Sequence, residues 1–166
     1  DVAVKKLDKG NEIRIKGGGE LVACDIEVPA DISSSAFFMV AGAIAKHGDV
    51  VLPKEGINPT RTGVIDILKL MGADIRLTHE AVVGGEPVAD ICVKASELHG
   101  IEIPLHLVPL AIDEFPVLFV ASACATGKTI LRGAEELRVK ESDRIQVMAD
   151  GLATLGIDCT VLDDGI

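Results

Sequence analysis

Apolar and polar residues follow one another along this chain in a pattern that predicts alternating helices and strands. Residues 36–45 and 117–125 are apolar at nearly every position. A helix without a polar face belongs inside a fold rather than on its surface, so we expect both stretches to be buried helices. An apolar run of strand length follows each helix, at residues 49–52 and 128–131. This alternation is typical of the α/β class.

The two halves of the chain repeat this pattern. Gly48 and Gly127, each suited to the left-handed residue that follows a helix, lie 79 positions apart. Gly72 and Gly156, each just ahead of a later strand, lie 84 positions apart. We therefore predict two β-α-β-α-β-β repeat units, with buried helices and outer mixed sheets that wrap them. The other strands are expected at residues 26–28, 74–77, 90–94, 101–103 and 158–161.

The repeat divides the chain into three parts. Residues 1–19 form a leading segment, with one predicted strand at residues 12–16 and a glycine break that is typical of a linker or crossover. Residues 20–100 make the first repeat unit, and residues 101–166 make the second. A chain of 166 residues with 48% apolar content is sufficient for a hydrophobic core. Because it starts without Met and stops just after a predicted turn, we expect it to be a piece of a longer protein.

Composition narrows the range of partners. The formal net charge of −10 and an aromatic content of 2% are unfavourable for binding nucleic acid, although a local basic pocket can still hold an anionic metabolite. No apolar run is long enough to span a membrane, and the first residues lack a secretory pattern. The cysteines are scattered, which favours buried reduced thiols over a disulfide framework or a metal site. We expect a soluble cytoplasmic protein. The cysteines are Cys24, Cys92, Cys124 and Cys159.

Charged residues concentrate between Arg132 and Arg144, where four Lys or Arg accompany four Asp or Glu. Ser142 is predicted to cap a helix that runs from Asp143 to about Leu155. Lys140 and Glu141 would then lie in the preceding turn and Arg144 in the first turn. The N-terminus of a helix carries free N–H groups and a partial positive charge, so it favours an anion. This segment is therefore the candidate site, although a solvated charged turn is the alternative.

Asp113 precedes the second apolar helix and aligns with Ser34 when the two halves are offset by 79 positions. Pro116 is tolerated in the first turn, where N–H groups lack partners inside the helix. We expect this helix start and that of Arg144 to face one substrate pocket. From the residues alone, capping of its own helix is the favoured role of Asp113. Ser33 to Ser35 fit either a capping cluster or a phosphate site, so their role stays open.

Five motifs of the chain resemble those of the 5-enolpyruvylshikimate-3-phosphate synthase (EPSP synthase) family, in the family's order. The most specific of them is Lys140-Glu-Ser-Asp-Arg144. The resemblance implies the inside-out α/β barrel of the enolpyruvyl transferases, with two domains of three repeat units each. This chain is similar to two units of the C-terminal domain, so its partners would include the N-terminal domain and the third unit. The other motifs lie at residues 31–38, 58–63, 71–75 and 112–116.

The resemblance also implies an activity and a set of roles. The enolpyruvyl group of phosphoenolpyruvate would move to the 5-hydroxyl of shikimate 3-phosphate in the shikimate pathway, with release of phosphate and without a metal or organic cofactor. Asp113 would accept the hydroxyl proton and bind substrate, and Glu141 would transfer a proton. Lys140 would bind substrate and relay protons, while Arg144 would clamp an anion with its planar fork. Glu136 stands where some family members carry a substrate-binding Asn, so its role stays open.

Two other functions remain as alternatives. UDP-N-acetylglucosamine enolpyruvyl transferase shares the fold and the donor substrate, but the motifs around Asp113 and Lys140 favour the shikimate enzyme. A non-catalytic α/β repeat module that binds a protein partner is the second alternative. For the 166 residues alone we expect no measurable turnover, because closure against an opposing domain would complete the site.

Overall fold

The computed structural model describes residues 4–6, 13–20, 22–23 and 25–166, and these contain five strands and four α-helices. Cys24 and Glu12, which opens the predicted leading strand, lie outside the described residues. The strands are β1 (Val4–Lys6), β2 (Ile13–Ile15), β3 (Asp49–Gly56), β4 (Asp74–Val83) and β5 (Glu86–Lys94). The helices are α1 (Ile32–Ile44), α2 (Gly63–Leu70), α3 (Phe115–Cys124) and α4 (Arg144–Thr154). Short 3₁₀ helices cover Leu105–Leu110 and Glu135–Arg138.

The first repeat unit contains a three-stranded antiparallel sheet in the order β3-β5-β4. Asp49 pairs with Lys94 at one end of this sheet, and Lys94 also pairs with Asp74 on its other side. In the leading segment, β1 and β2 form a separate antiparallel pair, where the sequence predicted a single strand. Helix α1 packs on the sheet, because Gly42 of the helix lies against the side chains of Val50 in β3 and Val93 in β5. Strand and helix thus alternate as predicted, and the α/β class is confirmed.

Helix α1 begins where its sequence favours a helix start. The Asp31 carboxylate accepts hydrogen bonds from the backbone N–H groups of Ser33 and Ser34, at 3.3 Å and 3.1 Å, which caps the first turn. One face of the helix is completely buried. Phe37 and Phe38 on the other face are each 61% exposed, so the expectation of burial all round is wrong for this face. The completely buried residues include Ala36, Met39 and Ala43.

Both units contribute to one continuous hydrophobic core. Helix α3 places Phe115, Leu118 and Ala121 in the same cluster as the buried face of α1. Helix α2 packs closely on the 3₁₀ helix of the second unit, because a Cβ built on Gly63 would lie only 2.7 Å from the carbonyl carbon of Leu110. The two units are therefore one packed body, and the boundary between residues 100 and 101 stays a prediction.

Several predicted strands do not form regular ladders. Residues 26–28 are unassigned, residues 101–103 and 128–131 meet only at the parallel bridge of Glu102 with Ile130, and residues 158–161 have no strand partner. A β-strand needs a neighbour that satisfies its backbone groups along its length, and the described part of the chain supplies none beyond single bridges. The sheet around the second unit is thus largely absent from these residues.

Candidate active site

Asp113 lies in the turn between the 3₁₀ helix and α3, directly before the N-cap residue at the start of α3. Glu114 occupies the N-cap position of α3 and makes no side-chain capping bond, and Pro116 lies in the first turn. Asp113 therefore leaves its carboxylate free for other partners, and its side chain is 52% exposed. The alignment with Ser34 is wrong, because Ser34 lies within α1 whereas Asp113 precedes α3.

Helix α4 places the charged segment at a second helix start. Its N-cap is Asp143, whose Oδ1 accepts a hydrogen bond from the backbone N–H of Gln146 at 3.0 Å. The prediction that Ser142 caps this helix is wrong by one residue, because a carboxylate at position 143 already accepts the free N–H group. Arg144 is consequently the first helical residue, and Lys140 and Glu141 lie in the preceding turn.

The two helix starts bring the predicted site residues together. Nη1 of Arg144 lies 3.2 Å from Oδ1 of Asp113, and Nζ of Lys140 lies 3.5 Å from the same oxygen. Nη2 of Arg144 donates to Oε2 of Glu141 at 2.7 Å. One guanidinium therefore bridges two carboxylates that are 28 positions apart in the sequence. We call Asp113, Glu136, Lys140, Glu141 and Arg144 the charged cluster.

Contacts within the charged cluster favour the protonated forms of its two basic side chains and the ionised form of Glu141. The pKa of Lys140 is raised, chiefly by its hydrogen bond with Glu136 and also by the nearby charge of Asp113. The pKa of Glu141 is lowered, first by a hydrogen bond from its own backbone N–H and then by Arg144. The pKa of Arg144 is raised, mainly by its hydrogen bond to Glu141. At neutral pH the cluster thus contains an ammonium and a guanidinium beside a carboxylate.

Glu136 belongs to the charged cluster although its role stayed open in the sequence. Its Oε1 lies 2.8 Å from Nζ of Lys140 and competes with Asp113 for that ammonium. The i,i+4 spacing of Glu136 and Lys140 is a local signal that predicts this pair. The side chain of Glu136 is 61% exposed, so it lies at the rim of the site.

The three serines at the start of α1 each have a different partner. The Ser34 hydroxyl donates to Asp31 at 2.8 Å, and this bond is the first cause of the lowered pKa of Asp31. The Ser35 hydroxyl donates to buried Glu55 at 2.6 Å. Their hydroxyls are therefore engaged in bonds within the protein, as expected of a capping and packing cluster.

Ser33 connects the two repeat units. Its hydroxyl donates to Oε1 of Glu114 at 2.5 Å and accepts a hydrogen bond from Nη2 of Arg61 at 2.6 Å. Glu114 is only 5% exposed and directly follows Asp113. Ser33 and Glu114 are 81 positions apart, so no local spacing in the sequence could have predicted this contact. The contact fixes the start of α3 against the start of α1.

Within the part of the chain that the structure describes, no group of three or more His, Cys, Asp or Glu side chains is arranged to hold a metal ion. Cys92, Cys124 and Cys159 are free thiols. Among the same residues, every helix is too short or too polar to cross a bilayer.

The fold defines the class of protein. A solved structure of EPSP synthase from Acinetobacter baumannii matches the chain with a TM-score of 0.91 and 63% identity, over 98% of this chain and 36% of that one. A second structure of EPSP synthase from the same organism matches with a TM-score of 0.88 and 60% identity. The chain therefore has the mixed α/β fold of the enolpyruvyl transferases, with the charged cluster at two helix starts.

The sequence comparisons identify the family within this class. The family model of EPSP synthase (3-phosphoshikimate 1-carboxyvinyltransferase) matches residues 1–166, and the chain belongs to this family. A relative named 3-phosphoshikimate 1-carboxyvinyltransferase from Hydrogenovibrio crunogenus is 65% identical over 99% of this chain and 37% of its own length. A relative with the same name from Methylococcus capsulatus is 64% identical over 95% and 36%. The chain thus spans little more than a third of the length of these relatives.

Proposed function

We propose that the full-length protein containing this chain joins the 5-hydroxyl of shikimate 3-phosphate to C2 of phosphoenolpyruvate and releases phosphate. What carries the proposal is the convergence of Lys140 and Arg144 on one oxygen of Asp113, at 3.5 Å and 3.2 Å, in a chain of the EPSP synthase family. Family membership favours shikimate 3-phosphate over the UDP-sugar that the related enolpyruvyl transferase would take.

Four residues of the charged cluster act in the proposed addition step. Asp113 accepts the proton of the 5-hydroxyl as that oxygen bonds to C2 of the enol. Lys140, whose raised pKa keeps it protonated, supplies a proton that reaches C3 through the Lys140–Glu141 pair. The C2 centre becomes tetrahedral, and Arg144 binds an anionic group of phosphoenolpyruvate with its planar fork.

The elimination step reverses the proton transfer at C3. The bond between C2 and the phosphate oxygen breaks, and phosphate leaves with its electron pair. Glu141 takes a proton from C3, which restores the double bond in the product. The lowered pKa of Glu141 supports this role, because the group is a carboxylate at neutral pH and is ready to accept a proton.

The formal charge of the cluster indicates that other parts of the full-length protein complete the substrate site. The described cluster contains three carboxylates, of Asp113, Glu136 and Glu141, and two cations, Lys140 and Arg144. Its formal charge is therefore −1, whereas both proposed substrates carry a phosphate and a carboxylate. We infer that the N-terminal domain and the third repeat unit supply further cations, and that their closure over the site excludes water.

A cytoplasmic location is part of the same proposal. Three thiols, of Cys92, Cys124 and Cys159, are free in the described residues. Free cysteines are typical of a reducing compartment, where glutathione and thioredoxin keep thiols reduced. Localisation of the tagged full-length protein in cell fractions tests this part of the proposal.

The proposed role of Asp113 is tested by Asp113→Asn in the full-length protein. We expect kcat for phosphate release to fall by about 10²- to 10⁴-fold, because the amide cannot accept the hydroxyl proton. Asp150→Asn is the matched control: it removes the same charge from an exposed residue of α4 whose carboxylate, among the described residues, bonds Gln146 alone, and it should leave kcat within about twofold. Steady phosphate release by Asp113→Asn at the parental rate would contradict the proposal.

The choice of substrate is tested separately by calorimetric titration of the full-length protein. Shikimate 3-phosphate should bind, and phosphoenolpyruvate should bind more tightly in its presence. UDP-N-acetylglucosamine should give no heat above dilution. Binding of the UDP-sugar instead would favour the alternative enolpyruvyl transferase.

A further inference from the structure

Arg138 ends the second 3₁₀ helix and makes three hydrogen bonds with one guanidinium. Its Nη1 donates to Oδ2 of Asp143 at 2.6 Å, its Nε donates to the carbonyl oxygen of Asp163 at 2.8 Å, and its Nη2 donates to the carbonyl oxygen of Leu162. The side chain is 25% exposed, so these bonds are partly shielded from water. The planar fork of Arg is what allows one side chain to serve three acceptors at once.

The bond to Asp143 closes the loop that carries the proposed site residues. Asp143 uses Oδ1 for the N–H of Gln146, which caps α4, and Oδ2 for Arg138. The two ends of residues 138–143 are therefore tied together, and Lys140 and Glu141 lie between them. The same carboxylate fixes the first turn of α4, where Arg144 begins the helix.

The carbonyl bonds attach this loop to a firm support. Leu162 and Asp163 belong to a turn closed by a hydrogen bond from the N–H of Leu162 to the carbonyl oxygen of Gly165, at 2.9 Å. Asp164 of this turn accepts the N–H of Ala134 with its carbonyl oxygen, at 2.8 Å, and the N–H of Gly133 with its carboxylate, at 3.1 Å. Arg138 therefore joins the loop, the start of α4 and the 162–165 turn.

We propose that Arg138 is a positioning residue: through Asp143 it holds Lys140, Glu141 and Arg144 in reach of Asp113. The expected effect on catalysis rests on the proposed function. The effect of Arg138 on the rigidity of the loop can be measured without turnover. Without Arg138 the loop keeps the ion pairs of Lys140 with Glu136 and Asp113 and of Glu141 with Arg144. Partly exposed pairs of this kind fix geometry weakly. A displacement of about 1 Å at a site costs up to about 10²-fold in rate.

Two variants of the full-length protein test the role of Arg138. Arg138→Lys keeps the positive charge but loses the planar fork of the guanidinium. Asp143→Asn keeps a good N-cap, but its amide has one oxygen and therefore cannot accept hydrogen bonds from both Gln146 and Arg138 in the way that the two carboxylate oxygens do. We expect each to lower kcat about 10- to 100-fold and to change KM for either substrate by less than about threefold. Arg132→Lys is the control, since the one polar contact of the Arg132 side chain within the described residues is a 3.6 Å ion pair with Asp164, and this variant should match the parent.

A structural role alone would give a different result. The fraction of folded protein is measured for each variant by its unfolding midpoint, and kcat is expressed per folded molecule. If both Arg138→Lys and Asp143→Asn retain the parental kcat per folded molecule, the inference is wrong. If one variant does not fold, the other decides by the same criterion.

Amide hydrogen exchange separates this inference from the proposed function. We expect residues 139–142 to exchange at least about tenfold faster in both variants than in the parent, because their local opening no longer breaks the Arg138 bonds. Unchanged exchange in this loop would overturn the positioning role even if the enzyme is active. If exchange becomes faster in the variants but the parent transfers no enolpyruvyl group, the proposed function is wrong. The role of Arg138 in holding the loop would still stand.

Discussion

At the scale of single residues, the position of Asp113 separates a role in the charged cluster from a role as a helix cap. Asp113 leaves the capping position of α3 to Glu114, and its carboxylate meets Arg144 and Lys140 instead. A carboxylate that only capped its helix would bond the backbone N–H groups that follow it. The position of Asp113 therefore supports chemistry over capping, and its half-exposed side chain is open to a substrate.

The sequence could predict four members of this cluster but not all of their partners. Asp113, Lys140, Glu141 and Arg144 were predicted because helix starts attract anions and because the motifs resemble those of a family. Their placement around one another is what the geometry adds. The contact between Ser33 and Glu114 could not be predicted, because it depends on how two distant helices pack. The capping residue of α4 was misplaced because Ser142 and Asp143 are adjacent and both good caps.

The capping carboxylate of α1 gives a prediction for pH. The pKa of Asp31 lies below its ordinary value of 3.8 because the Ser34 hydroxyl and two backbone N–H groups favour the ionised form. The unfolded chain then binds this proton at a higher pH than the folded chain does. The resulting stability is present above about pH 4 and is lost as the pH falls through the lowered folded pKa.

Asp31→Asn isolates this contribution, because Asn caps a helix nearly as well but does not titrate. We expect the free energy of unfolding of the variant to fall less steeply than that of the parent between about pH 5 and pH 3. Urea denaturation at each pH provides the measurement. Identical slopes in the two proteins would show that Asp31 has the same pKa folded and unfolded. Some slope remains in the variant, since the pKa values of Asp90 and Asp143 are lowered as well.

At the scale of elements, helices were predicted more accurately than strands. Helices α1, α3 and α4 each overlap the stretch where the sequence predicts a helix, with ends that differ by a few residues. A helix satisfies its own backbone, so its sequence alone indicates where it forms. A strand depends on a neighbour, and residues 158–161 find none within the described residues. The same apolar pattern therefore gives ladders in β3 to β5 and only single bridges in the second unit.

Two glycines in helices give a matched prediction. A Cβ on Gly151 of α4 would meet no atom within 4 Å, whereas one on Gly63 of α2 would lie 2.7 Å from the Leu110 carbonyl carbon. Gly151→Ala should raise the free energy of unfolding by about 0.5–1 kcal/mol. Gly63→Ala should lower it by about 1–3 kcal/mol, because backbone must move to admit the methyl group. Urea denaturation of both variants checks the opposite signs, and equal effects would contradict the described packing.

At the scale of the whole molecule, the α/β class and its repeated pattern could be read from hydrophobic periodicity. The shared core could not, because contacts between units such as that of Gly63 with Leu110 depend on tertiary packing. The exposure of Phe37 and Phe38 was also missed for this reason. Apolar residues predict a buried face only when something in the molecule covers it.

The isolated chain should bind substrate weakly and turn over none. The described cluster has a formal charge of −1, so it lacks the cations needed to hold two phosphates and two carboxylates. We expect no phosphate release from shikimate 3-phosphate and phosphoenolpyruvate above the rate of a sample without protein. The full-length protein under the same conditions is the positive control. Turnover by the isolated chain, abolished by Asp113→Asn, would show that these residues alone form a complete site.

The hydroxyl–carboxylate contact of Ser33 with Glu114 also bears on how such enzymes are recombined. It is a single bond of 2.5 Å across the two repeats, and the acid it satisfies is almost fully buried beside the proposed base. In a chimera whose first repeat comes from another family member with alanine at position 33, Glu114 would lose the hydrogen bond from the Ser33 hydroxyl. This loss should lower the free energy of unfolding by about 1–3 kcal/mol. Grafted repeats therefore have to be chosen as compatible pairs.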